Sequence, residues 1–569
     1  MKRRTLWVIG ISLTVVAAMA FIVTGCGGGK TPSSAKSGST IGSGRTGEIV
    51  LTVDWGKSRV IPPSAVRVDV TITGDGLVNP IRDSIPRPQN QTVVTKVYPN
   101  LPVGFKRVTA EAKDNNNQTV AAGSGTTTLS EGQRTNLEIV MSEITARTVL
   151  VRTFRGKRQA PPDFIAFQDG DGPWQRIEPT ITPQYALTVH APDGRYGLAI
   201  VFVRPPEPDG TTEVEVNIIH ATVNELSQIN WVSEEAPPAT TVTVSGTVSG
   251  LGSGEAALIA IGGAQFSVYP PYNTYSLQIP PGTYDLVAIK GSTQVWPPAA
   301  NKMLIQRNVS VSGDTTINID FNSPDAFDPE NRNAVINGVL SGELAGGGVE
   351  FRSHNGTEIE TGRNFEVPPP TIQFPFAGIP TAKQFGNDIH HLYAIAMSNG
   401  SRGIECYFKA PIDLSVTLPS PFGNASVRVA ATTPYTRFTA SWDAYSGAQA
   451  YFAQFGGRQM ARRRLVSNPQ LSRPKKQSRQ AIQASSPFWF VGLSAGWLGG
   501  QTSYTLPDLS GLSGWNNSWG FPAGGQVPWE VGAVATNRTI QDFVNAELTP
   551  VDGLEVRIAS KSGTVTISP

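Results

Sequence analysis

Apolar and polar residues alternate in short runs along most of the chain. Glu48-Ile49-Val50-Leu51-Thr52-Val53-Asp54-Trp55 is one such run. Ala65 to Ile72 is another, with Val66, Val68, Val70 and Ile72 on one face. Alternation of this kind, bounded by turn residues, predicts half-buried strands. Thr73-Gly74-Asp75-Gly76 closes the second run with a turn. Past residue 47 no long segment combines a helical period with capping residues, so helices are expected only as short pieces in loops. The expected fold class is therefore all-β, a string of β-sandwich domains after a cleaved signal helix.

A weak repeat sets the expected domain limits. Leu101-Pro102-Val103-Gly104-Phe105, Asp193-Gly194-Arg195-Tyr196 and Pro280-Pro281-Gly282-Thr283-Tyr284 are each a tight glycine turn, an aromatic and then a strand. Copies recur about every 90 residues, the size of one sandwich. The expected domains are 48–143, 144–236, 238–321, 322–420 and 425–569. In the third, Tyr275 to Ala288 resembles the strand, Pro-Gly-x-Tyr, strand hairpin of carboxypeptidase-regulatory-like and prealbumin-type modules. That resemblance implies an accessory, non-catalytic sandwich. In the last, Phe438-Thr439-Ala440-Ser441-Trp442 and Trp529-Glu530-Val531-Gly532-Ala533-Val534-Ala535 resemble a fibronectin type III domain. It implies core roles for Trp442 and Trp529, and it leaves 454–500 as a long insertion. The first, second and fourth domains are expected to be Ig-like.

The N-terminus carries an address. Lys2, Arg3 and Arg4 precede an apolar stretch from Leu6 to Val23, then Val23-Thr24-Gly25-Cys26. A basic start, an apolar segment and small residues before a cut site mark an export signal. The last four residues resemble the lipobox of bacterial lipoproteins. The resemblance implies cleavage before Cys26, diacylation of Cys26 with palmitate-type chains, and a stable membrane anchor. It thus gives signal peptide 1–25 and lipidated residue and tether 26–47. Residues 27–47 hold 7 Gly and 5 Ser, a flexible tether. Gly27, in place of an aspartate, favours the outer membrane within the cell envelope, facing the periplasm or the cell surface.

Composition narrows the chemistry. Gly 58 and Pro 44 disfavour a helix bundle, and 16% charged residues with a net +2 give no global field for nucleic acid. With Cys26 lipidated, Cys406 has no disulfide partner and reads as a buried structural thiol. The five histidines are His190, His220, His354, His390 and His391, and no paired cysteine or His-x-x-x-His spacing accompanies them. No metal or cofactor site is therefore expected. Asp169 and Asp171, like Asp325, Asp328 and Glu330, have some of the spacing of calcium ligands without the closing glutamate. Gly492-Leu493-Ser494-Ala495-Gly496 matches nucleophile-elbow spacing, but every histidine lies upstream, so it reads as a flexible loop and the chain as non-enzymatic.

Two features remain as candidate contacts. Arg458, Arg462, Arg463, Arg464, Arg473, Lys475, Lys476 and Arg479 leave −6 for the rest of a chain whose total is +2. Arg462, Arg463, Arg464, Lys475 and Lys476 suit an anionic surface. Trp515 and Trp519, flanked by Asn516 and Asn517, suit sugar stacking and hydroxyl recognition. The function expected is a membrane-anchored adhesion, envelope-scaffold or ligand-presenting lipoprotein. The partner would be an envelope protein or a glycan, and no nucleic acid. The alternative is glycan binding through the C-terminal tryptophans.

Overall fold

The structure, a computed structural model, describes residues 45–568 except 55–60, 62–63, 78, 90–92, 118, 140, 144–146, 157, 192, 205–211, 234–239, 295–298, 366–369, 457–486 and 547. The chain is built almost wholly of strands, arranged as five two-layered sandwiches numbered here in chain order. The alternating runs behave as their pattern predicts. In the strand Arg67–Gly74, Val68, Val70 and Ile72 are buried while their neighbours are partly exposed. Gly74 and Gly76 turn the chain at φ 133° and 76°, conformations that side chains with a Cβ rarely adopt.

Each of the three glycine–aromatic repeats marks a corner rather than a hairpin. Val93–Pro102 lies in the three-stranded layer of sandwich 1, whereas Gly104–Lys113 lies in its five-stranded layer. Gln184–Val189 and Arg195–Val203 likewise occupy opposite layers of sandwich 2, as do Thr274–Ile279 and Gly282–Ser292 in sandwich 3. A tight turn between strands suggests pairing. Here the chain instead crosses the core, and the aromatic pins the crossing: the Tyr284 hydroxyl donates to the Pro280 carbonyl at 2.9 Å.

The sandwiches are not separate beads. One twelve-stranded sheet runs through three of them, with four strands from sandwich 2, four from sandwich 5 and four from sandwich 4. Sandwich 5, last in sequence, is central in space. At one seam Val214–Thr222 pairs in parallel with Phe488–Ser494, from Glu215 opposite Phe488 to His220 opposite Leu493. At the other, Gly400–Phe408 pairs antiparallel with Glu555–Ile567. Strands inside this sheet are covered on both faces. Ala450–Phe455 is buried at every position, and Val214–Thr222 at every position but the first. Residues 488–498, which the sequence reading places in an insertion, form a central strand and the one-turn helix Ala495–Leu498.

Sandwiches 3 and 4 meet differently, through an apolar face that includes Leu258, Val287, Ile289 and Met303 against Phe351, Ile359 and Ile379. No helix among the described residues is long and apolar enough to cross a membrane.

Candidate functional site at the sandwich junctions

The most unusual side-chain chemistry lies where sandwiches 1, 2 and 5 meet. His220 sits on the seam strand Val214–Thr222, with its ring 4.2 Å from Trp497, 5.3 Å from Tyr504 and 5.7 Å from Trp174. Its Nε2 lies 2.9 Å from the Tyr504 hydroxyl. Burial first, then the Arg195 charge, push its pKa down to about 3, so the imidazole is neutral. The Arg195 guanidinium stacks 4.6 Å over Trp497 and pairs with Asp171 at 3.1 Å. Sandwich 1 docks beside this pair: Thr109 donates to Asp171 Oδ2 at 2.8 Å, and Arg107 pairs with the neighbouring Asp193 at 3.6 Å. Burial and the nearby Arg195 lower Arg107 to about 10. Ser503 of sandwich 5 donates to Asp75 of sandwich 1 at 2.9 Å. Two arginines and two aspartates thus balance at this junction, with Arg195 packed on Trp497. Sequence reasoning missed this junction. Its visible signal was Glu215, Asn217 and His220 inside an otherwise apolar run.

Of the carboxylates with calcium-like spacing, Asp169, Asp171, Asp328 and Glu330 are engaged in protein contacts, and Asp325 is exposed. Asp169 accepts from the backbone N–H groups of His190 and Ala191, and Asp171 is held by Arg195 and Thr109. Asp328 pairs with Lys302 at 2.8 Å, and Glu330 with Arg332 at 2.7 Å. Among the described residues no group of three or more His, Cys, Asp or Glu side chains could hold a metal ion.

Ser494 corrects the flexible-loop reading. It ends the strand Phe488–Ser494 and caps the helix Ala495–Leu498, accepting from the Trp497 N–H at 3.2 Å. Its hydroxyl donates to Glu225 of sandwich 2 at 2.5 Å, not to a histidine. Glu225 also accepts from Gly496 N–H at 2.7 Å and from the Thr222 hydroxyl at 2.7 Å. A strand-to-helix elbow is present, then, and its serine staples sandwich 2 to sandwich 5.

Trp515 and Trp519 lie half-buried at the same seam. Trp515 packs 5.5 Å from Phe164 of sandwich 2, 5.5 Å from Tyr435 and 5.9 Å from Trp489. Its indole nitrogen is buried with no hydrogen-bond partner among the described residues. Trp519 packs edge-on to Trp515 at 5.3 Å, and its carbonyl accepts from the Trp489 indole at 2.8 Å. Arg176 of sandwich 2 donates to the Ser513 carbonyl at 2.8 Å. Asn516 and Asn517 are exposed, and the Asn516 side chain accepts from Ser518 N–H at the start of a short turn. Trp442 is buried against Tyr451, and Trp529 is half-buried against the same core.

His390 and His391 face opposite sides of the strand Ile389–Met397. His390 accepts from Ile379 N–H at 2.9 Å, so its Nδ1 carries the proton toward the Lys409 carbonyl; burial lowers its pKa to about 4. His391 stacks on Tyr407 and lies 3.4 Å from Glu405. Burial alone would lower its pKa, but Glu405 together with the Glu350 and Glu358 charges outweighs burial and the net direction is upward. Cys406 is half-buried, and burial with the nearby Glu555 and Glu405 charges pushes its thiol up to about 12. Val23, Thr24, Gly25 and Cys26, and the basic residues Arg462, Arg463, Arg464, Lys475 and Lys476, lie outside the described residues.

No protein-family model matches the chain, and no curated protein matches it. Among solved structures it is similar to a leucine-rich repeat protein from Bacteroides thetaiotaomicron, with 10% identity and a TM-score of 0.16 over 48% of this chain and 26% of that one. It spans only about a quarter of that protein's length. A streptococcal ancillary pilin aligns at 11% identity and a TM-score of 0.15, over 48% of this chain and 98% of that one. The full-length major pilin RrgB from Streptococcus pneumoniae aligns at 7% identity and a TM-score of 0.11, over 66% and 100% of the two chains. Scores this low carry no inference about what the chain does.

Proposed function

We propose that the protein is a lipid-anchored, non-enzymatic component of a bacterial cell envelope that holds a stiff β-scaffold away from the membrane for adhesion or for docking of an envelope partner. The observation that carries the reading is the continuous twelve-stranded sheet through sandwiches 2, 5 and 4. A flexible string of beads would bend at each linker. Here the seams are backbone ladders, reinforced by the Ser494–Glu225 staple, by Arg195 stacked over Trp497, and by Ser401 against Ser560. Ser494, which has nucleophile-elbow spacing in sequence, is engaged in the first of those seams. The anchor itself rests on the sequence around Cys26.

Metabolic labelling tests it. Cells expressing the full chain should incorporate labelled palmitate, and Cys26→Ser should abolish both the label and membrane fractionation. A Cys26→Ser chain that stays in the membrane fraction, or an unlabelled parent, would refute the anchored reading. Trypsin on intact cells, with a blot for the C-terminus, then separates surface exposure from a periplasmic location. The stretch 458–479 is the expected cut site.

A further inference from the structure

Beside the apolar face that joins sandwiches 3 and 4 lies a cleft of about 560 Å³. Its walls are the strand Ala299–Val311, the connector from Asn318 to Phe327, and the segment Ala382 to Phe385 of sandwich 4. The walls are fixed relative to one another. Arg307 bridges Asp285 of sandwich 3 and Asp388 of sandwich 4, each at 3.0 Å. Asn355 of sandwich 4 donates to Asp285 at 3.0 Å, and Thr357 donates to the Asp285 carbonyl at 2.6 Å. A ligand entering the cleft would not have to order it first.

The lining is amphipathic. Phe385 is 56% exposed, although its ring is held edge-on by His354 at 5.3 Å. Burying that ring gains apolar contact, and the neighbouring ring already fixes its orientation. Asp320 and Asp325 are exposed carboxylates; one oxygen of Asp320 already accepts from Ser249 and from the Asn322 N–H, which leaves its other oxygen toward a ligand, and Gln306 is a half-buried amide that both donates and accepts. The charge balance is set locally. Arg307 is taken up between two aspartates, and Lys383 lies over the Phe327 ring at 5.5 Å. Two carboxylates against one lysine leave the cleft negative, which disfavours uronates, sulfates and phosphates.

An added polypeptide strand fits less well. It would need a run of free backbone groups along Ala299–Val311. There Met303 already exchanges both backbone hydrogen bonds with Phe327, and Asn308 sits at φ 53° beside a bulge. A pyranose chain instead presents apolar C–H faces to an aromatic ring and paired hydroxyls to carboxylates and amides. We propose that this cleft binds a neutral saccharide chain, with Phe385 as the stacking ring and Asp320, Asp325 and Gln306 as hydroxyl partners. The site goes beyond the scaffold reading and does not depend on the lipid anchor.

The test is calorimetric titration of the full chain, in detergent, with neutral hexasaccharides of glucose, mannose and N-acetylglucosamine and with hexagalacturonate. At least one neutral hexasaccharide should bind, and hexagalacturonate should not. Phe385→Ala should weaken binding about tenfold or more with thermal unfolding unchanged, because the ring is mostly exposed. Asp325→Asn should weaken it too, whereas Tyr272→Ala, at an exposed ring outside the cleft, should not. The proposal is overturned if no neutral hexasaccharide binds at about 5 mM, if hexagalacturonate binds better, or if Phe385→Ala binds like the parent. Displacement of the sugar by an extended peptide at equal concentration would also overturn it.

Discussion

Glu530 gives the sharpest quantitative expectation. It lies on the strand Gly525–Thr536, one strand in from the seam between sandwiches 5 and 4, and is 4% exposed. One carboxylate oxygen accepts from Ser560 at 2.5 Å and from Ser401 of sandwich 4 at 3.4 Å; the other is buried without a partner. Gln454 stands directly opposite on the next strand, and no cation pairs with Glu530 among the described residues. Burial outweighs the two serine hydrogen bonds and raises its pKa from 4.5 to about 7. A carboxyl whose folded pKa is raised costs nothing while both states are protonated, below 4.5. The folded state loses stability as pH rises from there to about 7, and the loss is constant above. The full loss is about 3 kcal/mol, on the order of 1.4 kcal/mol per unit of pKa difference. His220 and His390 act in the opposite sense: buried neutral, they cost stability as pH falls below about 6.5. The parent's own pH profile therefore mixes both effects, and the difference between parent and Glu530→Gln isolates one of them. Glutamine keeps the acceptor for Ser560 and carries no charge. Urea unfolding followed by tryptophan fluorescence, which reads Trp442 and Trp489 in this core, should find the variant more stable than the parent by about 3 kcal/mol at pH 8. The gap should shrink to well under about 1 kcal/mol near pH 4.5. A gap independent of pH, or a variant less stable at pH 8, would refute the burial argument.

Further expectations follow from the same seams. Trp515→Ala removes a half-buried ring wedged between Phe164, Tyr435 and Trp489, and should cost about 2 kcal/mol in urea unfolding; a cost near zero would mean that the ring is not part of the core. Glu225→Gln weakens two hydrogen bonds that join sandwich 2 to the Ser494 elbow and a third, from Thr222, within sandwich 2, and should cost about 2 kcal/mol, read as faster proteolysis of the seam. Ellman's reagent at pH 8 should modify Cys406 at least about a hundredfold more slowly in the folded chain than in urea, since a thiol near 12 is rarely ionised. Equal rates would contradict its burial.

The strands themselves were legible because alternation is local: Val68, Val70 and Ile72 reveal their buried face within eight residues. The turns were legible for the same reason, through Gly74 and Gly76. The corners were half legible. Pro280-Pro281-Gly282-Thr283-Tyr284 announces a reversal, but a hairpin and a crossing between layers use the same turn residues. The seams were not legible. Pairing Val214–Thr222 with Phe488–Ser494 joins residues far apart in sequence, and backbone ladders carry no residue code that names the partner. What such strands do show is burial on both faces, so they read as unbroken apolar runs rather than alternating ones. Phe488-Trp489-Phe490-Val491 is such a run, and the basic stretch before it made the whole of 454–500 look like an insertion. Trp515 and Trp519 looked like surface aromatics because asparagines flank them. Their packing partner Phe164 belongs to another sandwich, which no local pattern reveals.

The chain order of the central sandwich has a physical consequence. Val214–Thr222 and Gly400–Phe408 are the edges that sandwiches 2 and 4 present until the C-terminal residues arrive. Both are long and mostly buried in the finished fold, and an uncovered strand of that kind is a template for wrong pairing. Sandwich 5 covers both at once, one by a parallel ladder and one by an antiparallel ladder, and leaves the two ends of the long sheet to Gln175–Ile177 and Glu358–Phe365. The polar contacts sit where such a closure needs specificity. Glu225 recognises the elbow at Ser494, Ser401 and Ser560 meet at 2.6 Å across the second seam, and Asp171 gathers sandwich 1 onto the finished junction. Apolar burial supplies the driving force for closure, while these few buried hydrogen bonds penalise a shifted register, since a slip would leave each of them unpaired. The stiffness proposed for the scaffold is therefore a property of the completed chain, fixed by its last domain rather than by its linkers.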